Sequence, residues 1–169
     1  MELGVVSDTH DNLDAATAAV EAFEARDIDT VLHCGDFIAP PLVSAAFGDS
    51  DLALHGVLGN NDGELDGLER TIDGLGGESH LHGRYATLEF DGLTVRMLHG
   101  DQGMDTVESE AQSGEYDVVC YGHFHVAEHR EVEGTQVVNP GAHFPTVPEE
   151  NRSVAVIDTD DASVEFVSL

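Results

Sequence analysis

The chain has 169 residues, with 34 Asp and Glu against 6 Lys and Arg, a formal charge of −28 at pH 7 and 41% hydrophobic residues. A domain of this length removes roughly two-thirds of its unfolded surface from water, and the apolar residues are spread along the whole chain, which argues against disorder despite the charge. Bulk nucleic-acid binding is excluded because counterion release needs a basic surface and the chain has no lysine, while no apolar run reaches the roughly 18 residues of a membrane span.

One domain over residues 1–169 is expected. Its first element is a buried strand, Leu3 to Ser7, that stops at the polar group Asp8-Thr9-His10-Asp11. Asn12 then caps a helix in which Leu13, Ala16, Ala19, Val20 and Phe23 recur at helical spacing up to Arg26. Thr30 to Cys34 reads as a second strand, Pro40 to Phe47 as a short helix opened by prolines, and Leu52 to Leu58 as a third strand. This βαβ order implies a largely parallel sheet. A Gly-rich, acidic stretch from Asn60 to Gly77 carries no predicted element. Tyr85 to Phe90 and Leu93 to Leu98 flank Asp91-Gly92, a strong hairpin signal. Gln102 to Ser113 is a helix candidate and Val118 to Tyr121 another buried strand; the remainder, with turns at Glu133-Gly134 and Asp160-Asp161, reads as antiparallel β. Two packed sheets covered by helices are expected, the first half of the chain more parallel and the second more antiparallel.

Five times an apolar run ends in a small cluster of metal-ligand type: Asp8 and His10, Asp36, Asn60, His99, and His123 with His125. Sites in open α/β sheets lie outside the carboxyl ends of strands, so these residues can converge on one crevice. Gly35, Gly59, Gly100 and Gly122 accompany them and let the backbone approach an ion or phosphate closely. The Asp-x-His and His-x-His spacings present two ligands on one side of an extended segment. Mixed nitrogen and oxygen donors suit Mn, Fe, Zn, Co or Ni better than calcium, and seven ligands suit two ions sharing a carboxylate. Cys34 and Cys120 end apolar runs without C-x-x-C spacing and read as buried free thiols. His33 and His55 sit inside strand-like runs and read as sheet or core histidines, whereas His80, His82 and His129 are assigned to the solvated surface. His143, in a loop after Asn139-Pro140-Gly141, is assigned to the surface by default, with a phosphate-facing role left open.

Ser-Asp8-Thr-His10, Gly-Asp36, Gly-Asn60-Asn-Asp62, His99-Gly and Gly-His123-Phe-His125 together resemble the motifs of the calcineurin-like metallophosphoesterases. The small size, Asn139-Pro140-Gly141 and the Asp91-Gly92 hairpin resemble its small bacterial and archaeal phosphodiesterases. The resemblance implies an α/β fold, a four-layer α/β/β/α sandwich of two mixed sheets flanked by helices. It implies that Asp8, His10, Asp36 and His125 hold one divalent ion and Asp36, Asn60, His99 and His123 the other, with Asp36 as the bridge. Manganese is the first choice, with nickel, zinc, iron or cobalt as alternatives. Hydrolysis of a phosphodiester by a hydroxide bridging the two ions follows. Many members carry histidine directly after the Asn ligand, similar to a general acid; Asn61 stands there in this chain, which favours diesters over efficient monoester hydrolysis. Asp62 is expected to hold an imidazole in its working tautomer.

The implied substrate is a small phosphodiester or nucleotide-like molecule, with no bulk nucleic acid and no membrane as partner; a homo-oligomer is compatible with the sequence. A cytoplasmic location is expected, in a high-salt cytosol, because the acidic excess suits a medium in which about 1 M salt shortens the screening length to roughly 3 Å. The rival reading is a non-catalytic interaction scaffold, since the chain also resembles the retromer subunit that reuses this fold. Completeness of the ligand set favours the enzyme.

Overall fold

Strand β1 (Glu2–Val6) shows how the layers arise: Leu3 and Val5 point to one face of the sheet and Gly4 and Val6 to the other. Every β1 residue after Glu2 is buried, because both faces of this strand are covered. The computed structural model describes residues 1–169. After β1 the chain runs through α1 (Leu13–Glu24), β2 (Thr30–His33), α2 (Pro40–Phe47), β3 (Ala53–Gly56), α3 (Leu65–Asp73) and β4 (His80–Leu81). The hairpin β5 (Tyr85–Phe90) and β6 (Leu93–Leu98) follows, then α4 (Met104–Gln112), β7 (Val118–Cys120), β8 (Ala127–Val132) and β9 (Thr135–Pro140). The chain closes with β10 (Ser153–Asp158) and β11 (Val164–Ser168).

The first sheet has the order β11-β10-β1-β2-β3-β4, in which β1 to β4 are parallel neighbours and β10 joins β1 antiparallel. The second has the order β5-β6-β7-β9-β8, parallel in its centre and antiparallel at both edges. Three apolar cores separate four layers. Phe23, Val43 and Leu68 of the first three helices pack with Val6, Val31 and Leu54 on the outer face of the first sheet. Leu3, Val5 and Leu32 meet Val95, Met97 and Val138 between the sheets. Val107 and Ala111 of α4 cover Leu98, Val119 and Val137 on the far side. The α/β/β/α sandwich of two mixed sheets flanked by helices is therefore present.

Each expected strand and helix forms, within one or two residues at its ends. The side-chain carbonyl of Asn12 accepts the Ala15 amide as the helix cap, at 3.2 Å. Helix α3 was not expected. Leu65, Leu68 and Ile72 lie on its repeat and the last two are fully buried, but Gly67, Gly74 and the surrounding carboxylates obscure that signal, and its N-cap, Glu64, makes no side-chain capping hydrogen bond. Packing against α2 supplies what local propensity does not. The two-residue β4 was likewise too short to read. Cys34 and Cys120 are free and buried between the sheets, and burial pushes the Cys120 thiol up to about 12. No helix is long and apolar enough to cross a membrane.

Candidate metal centre

All seven candidate ligands lie in turns just beyond the ends of β1, β2, β3, β6 and β7. Pairing of β1 with β2 and β2 with β3 sets Asp8, Asp36 and Asn60 side by side, and pairing of β6 with β7 does the same for His99 and the His123–His125 segment. The two sheets then bring these groups face to face.

The carboxylates form the floor, with Asp8 0% and Asp36 1% exposed. Asp8 Oδ1 lies 3.2 Å from His125 Nε2, and 3.9 Å from the Nε2 atoms of both His10 and His99. Asp36 Oδ2 lies 3.3 Å from His99 Nε2 and 3.7 Å from His10 Nε2. The Asn60 side-chain oxygen is 3.1 Å from His99 Nε2, and the His123 ring centroid lies 5.1 Å from that of His99. Two groups of donor atoms, from Asp8, His10 and His125 and from Asp8, Asp36 and His99, each fall within 4.8 Å of one another. Ligands bound at about 2.0–2.2 Å to one ion sit about 3 Å apart, so the spacing fits a metal. His10 Nε2 is buried without any hydrogen-bond partner, as expected of a nitrogen reserved for a cation.

The backbone is strained to achieve this. Asp8, His10, Asp36, His123 and His125 have φ of 55°, 49°, 61°, 67° and 55°, a left-handed region that costs a non-glycine residue about 1–3 kcal/mol and persists only where the surroundings enforce it. Close approach requires glycine at two positions. A Cβ on Gly59 would lie 2.1 Å from Asp36 Oδ1, and one on Gly122 would lie 1.8 Å from Ser7 Oγ and 2.6 Å from Asp8 Oδ2.

Hydrogen bonds fix the ligands. Ser7 Oγ and the His123 amide donate to Asp8 Oδ2 at 2.5 and 2.9 Å. His99 Nδ1 donates to the Cys34 carbonyl at 2.8 Å, which leaves Nε2 to face the carboxylates. Burial pulls the His99 pKa down, but Asp36 and Asp8 more than offset this and push it up to about 8. For Asp36, burial acts upward, yet hydrogen bonds from His99 and Asn61 hold its carboxyl well below the usual carboxylate range. Asn61 grips Asp36 with its amide N–H at 2.9 Å and its side-chain Nδ2 at 2.7 Å.

Asp62 differs from expectation, since it touches no imidazole. Its Oδ2 accepts from the Gly59 and Asp36 amides at 2.7 and 3.0 Å, and its Oδ1 from the Ile38 amide at 2.8 Å. It fastens the turn after β3 to the turn after β2. His82, expected on the surface, is half-buried, with its Nε2 3.1 Å from His55 Nδ1; His80 and His129 are exposed as expected. Two further residues, Asn139 and Thr9, support the site, and His33 is the hydrogen-bonded core histidine that its strand position implies. The buried Asn139 donates to the Gly122 carbonyl at 2.9 Å and accepts from Gly141, a role signalled only by Asn139-Pro140-Gly141. Thr9 and His33 pair at 3.0 Å beneath the ligands, with no signal beyond Thr9 lying between two candidates.

His33 is buried, stacks on Phe37 at 3.7 Å between centroids and accepts the Gly35 amide at Nδ1, which places its proton on Nε2. Burial pulls its pKa from 6.5 down to about 3. A depressed folded-state value adds stability that is present above the unfolded pKa and lost as pH falls from about 6.5 toward 3. The denaturation midpoint of the native chain should therefore drop more steeply over that range than that of His33→Gln; parallel acid profiles would overturn this assignment.

A model of the calcineurin-like phosphoesterase superfamily domain matches residues 1–162. The chain is 32% identical over 163 residues to a phosphodiesterase of Methanocaldococcus jannaschii, covering 95% of this chain and 94% of the relative. It is 27% identical over 169 residues to the probable metallophosphoesterase YsnB of Bacillus subtilis, covering 98% and 90%. A solved structure of an archaeal phosphodiesterase superposes with a TM-score of 0.89 at 31% identity over all of both chains. Zinc-bound Vps29 of Entamoeba histolytica superposes with a TM-score of 0.65 at 16% identity, covering 100% of this chain and 98% of Vps29, and shows the fold alone. With its four layers, its turn-borne carboxylates and imidazoles and these relatives, the chain belongs to the calcineurin-like phosphoesterase superfamily.

Proposed function

We propose that this protein is a binuclear metal-dependent phosphodiesterase acting on small phosphodiester or nucleotide-like substrates. The observation that carries this reading is the convergence of two carboxylates and three imidazoles into two adjoining groups of mutually close donor atoms. Similarity to the M. jannaschii phosphodiesterase and to the archaeal phosphodiesterase structure supports a diester as substrate. Asp8, His10, Asp36 and His125 would hold one ion, and Asp36, Asn60, His99 and His123 the other. Asp36 would be the residue common to both sets, its Oδ2 lying 3.7 Å from His10 Nε2 and 3.3 Å from His99 Nε2, with Asp8 Oδ1 3.9 Å from each of the same two nitrogens. When bound, a pair of divalent ions supplies Lewis acidity and an activated water for in-line displacement at phosphorus. Manganese is the first choice, and nickel, zinc, iron or cobalt fit the same nitrogen and oxygen donors.

The chain's own residues orient and protect this chemistry. The Cys34 carbonyl fixes the His99 tautomer, Ser7 and the His123 amide hold Asp8, and Asn61 with Asp62 fixes the turns that carry Asp36 and Asn60. Neither cysteine acts as a nucleophile, since both thiols are buried with raised pKa values. Asn61 is exposed beside Asp36 and has no titrating proton to give a departing alkoxide. Good leaving groups and diesters are favoured accordingly. The interaction-scaffold alternative has likeness of fold alone behind it.

The acidic surface adds a condition on where the protein works. With a formal charge of −28, self-repulsion opposes the compact state in dilute buffer and is screened at molar salt. The protein is adapted to a high-salt cytosol on this reading.

Hydrolysis of bis(p-nitrophenyl) phosphate with Mn²⁺ tests the activity. Chelation should stop it, and Asp36→Asn should lower kcat/KM by at least the roughly 10–100-fold typical of damage to a metal site; turnover indifferent to chelator would sink the metal reading. Asn61→His should raise the rate on alkyl phosphomonoesters about tenfold or more, toward the range general acids provide, and an unchanged rate would refute the leaving-group argument. Thermal unfolding followed from dilute buffer to molar KCl should show a rising midpoint, whereas a flat profile would reject the salt adaptation.

A further inference from the structure

A cavity of about 340 Å³ lies against the candidate metal centre, between the start of α1 and the segment 143–152. Phe144 forms the shared wall: its ring centroid is 5.2 Å from that of His10 and 4.9 Å from that of His125. Asn12 and Asp14 line the α1 side, and the Asn12 side chain donates to the His143 carbonyl at 3.3 Å. Arg152 lines the opposite side. Its Nε donates to the Val147 carbonyl at 2.7 Å and its Nη2 to the Pro145 carbonyl at 3.0 Å. These bonds fix the guanidinium without neutralising it.

That is unusual for this chain. Arg26, Arg84, Arg96 and Arg130 each pair with carboxylates, and Arg70 lies exposed on α3. Arg152 is thus a half-buried cation without a carboxylate partner in a molecule holding 34 acidic residues. His143 also lines this cavity, and its Nδ1 is buried without a hydrogen-bond partner. Burial and the nearby Arg152 hold the His143 pKa below its ordinary value, so the ring offers a hydrogen-bonding group rather than a second charge.

We infer that this cavity is a subsite for a second anionic group of the substrate, anchored by Arg152 with His143 beside it, so that the preferred substrates are phosphodiesters whose organic arm carries a further phosphate. The inference rests on the phosphodiesterase reading and narrows it. Planar guanidinium donors suit phosphate oxygens, and the volume lies at the small end of ligand pockets, adequate for a sugar-phosphate arm. Arg152 acts on specificity here, away from the reacting phosphorus.

Two esters with the same leaving group provide the test: thymidine 3′-phosphate 5′-(p-nitrophenyl phosphate) and thymidine 5′-(p-nitrophenyl phosphate), assayed at molar KCl. The native protein should show a KM about tenfold lower for the first, the order expected of one charge-assisted contact. Arg152→Gln should erase that ratio and Arg152→Lys restore part of it. A general disturbance of the loop would instead shift both substrates alike. Equal KM values in the native protein, or an unchanged ratio in Arg152→Gln, overturn the subsite. Calorimetric titration of the native protein with thymidine 3′,5′-bisphosphate and thymidine 5′-phosphate decides the matter without turnover or a variant, and equal affinities there also overturn it. If neither ester turns over, the proposed activity fails, while the titration still judges the cavity.

Discussion

Two carboxylates buried side by side are the constraint around which the rest is arranged. Asp8 and Asp36 are almost wholly removed from water and no arginine or lysine pairs with either, so their charge must be met by hydrogen bonds, imidazoles and cations. The left-handed turns answer this need. They aim the His123 amide at Asp8 and place the Asn61 amide on Asp36, and the missing side chains of Gly59 and Gly122 let those turns come close enough. Strain in the backbone and crowding around the carboxylates are two aspects of one arrangement, which has its natural complement in divalent metal.

Much of this was legible in the sequence because the relevant signals are local. Apolar runs of strand length ending in Asp, Asn or His mark the crevice, Asp91-Gly92 marks the hairpin, and Asn12 marks the start of α1. The unread parts depend on tertiary context. Helix α3 is held by burial of Leu68 and Ile72 rather than by propensity. Asp62 exchanged its expected imidazole for three amides, a choice set by how two turns meet in space. His82 joined His55 because the short β4 runs beside β3. Strand periodicity identifies a face but not the neighbour waiting across it.

The few cations are placed with corresponding economy. Arg26, in the turn after α1, reaches β11 through Glu165, Arg96 links β6 to α4 through Glu110, and Arg130 links β8 to α4 through Glu108. Surface and part-buried ion pairs of this kind add little to stability once solvent screening and side-chain ordering are counted, so the apolar layers, and not these bridges, hold the sandwich together. What the bridges do is relieve repulsion where acidic elements touch, leaving the remaining carboxylates to solvent and counterions.

Asp8, His10, Asp36 and Asn60 hang from one sheet, and His99, His123 and His125 from the other. The apolar layer between the sheets therefore holds the two halves of the donor set in register with one another. Altering the bulk of Leu32, Val95 or Val138, which pack between the sheets, thus shifts one half of the donor set against the other, and interior packing in this protein becomes a dial on the geometry of the candidate centre as much as a source of cohesion.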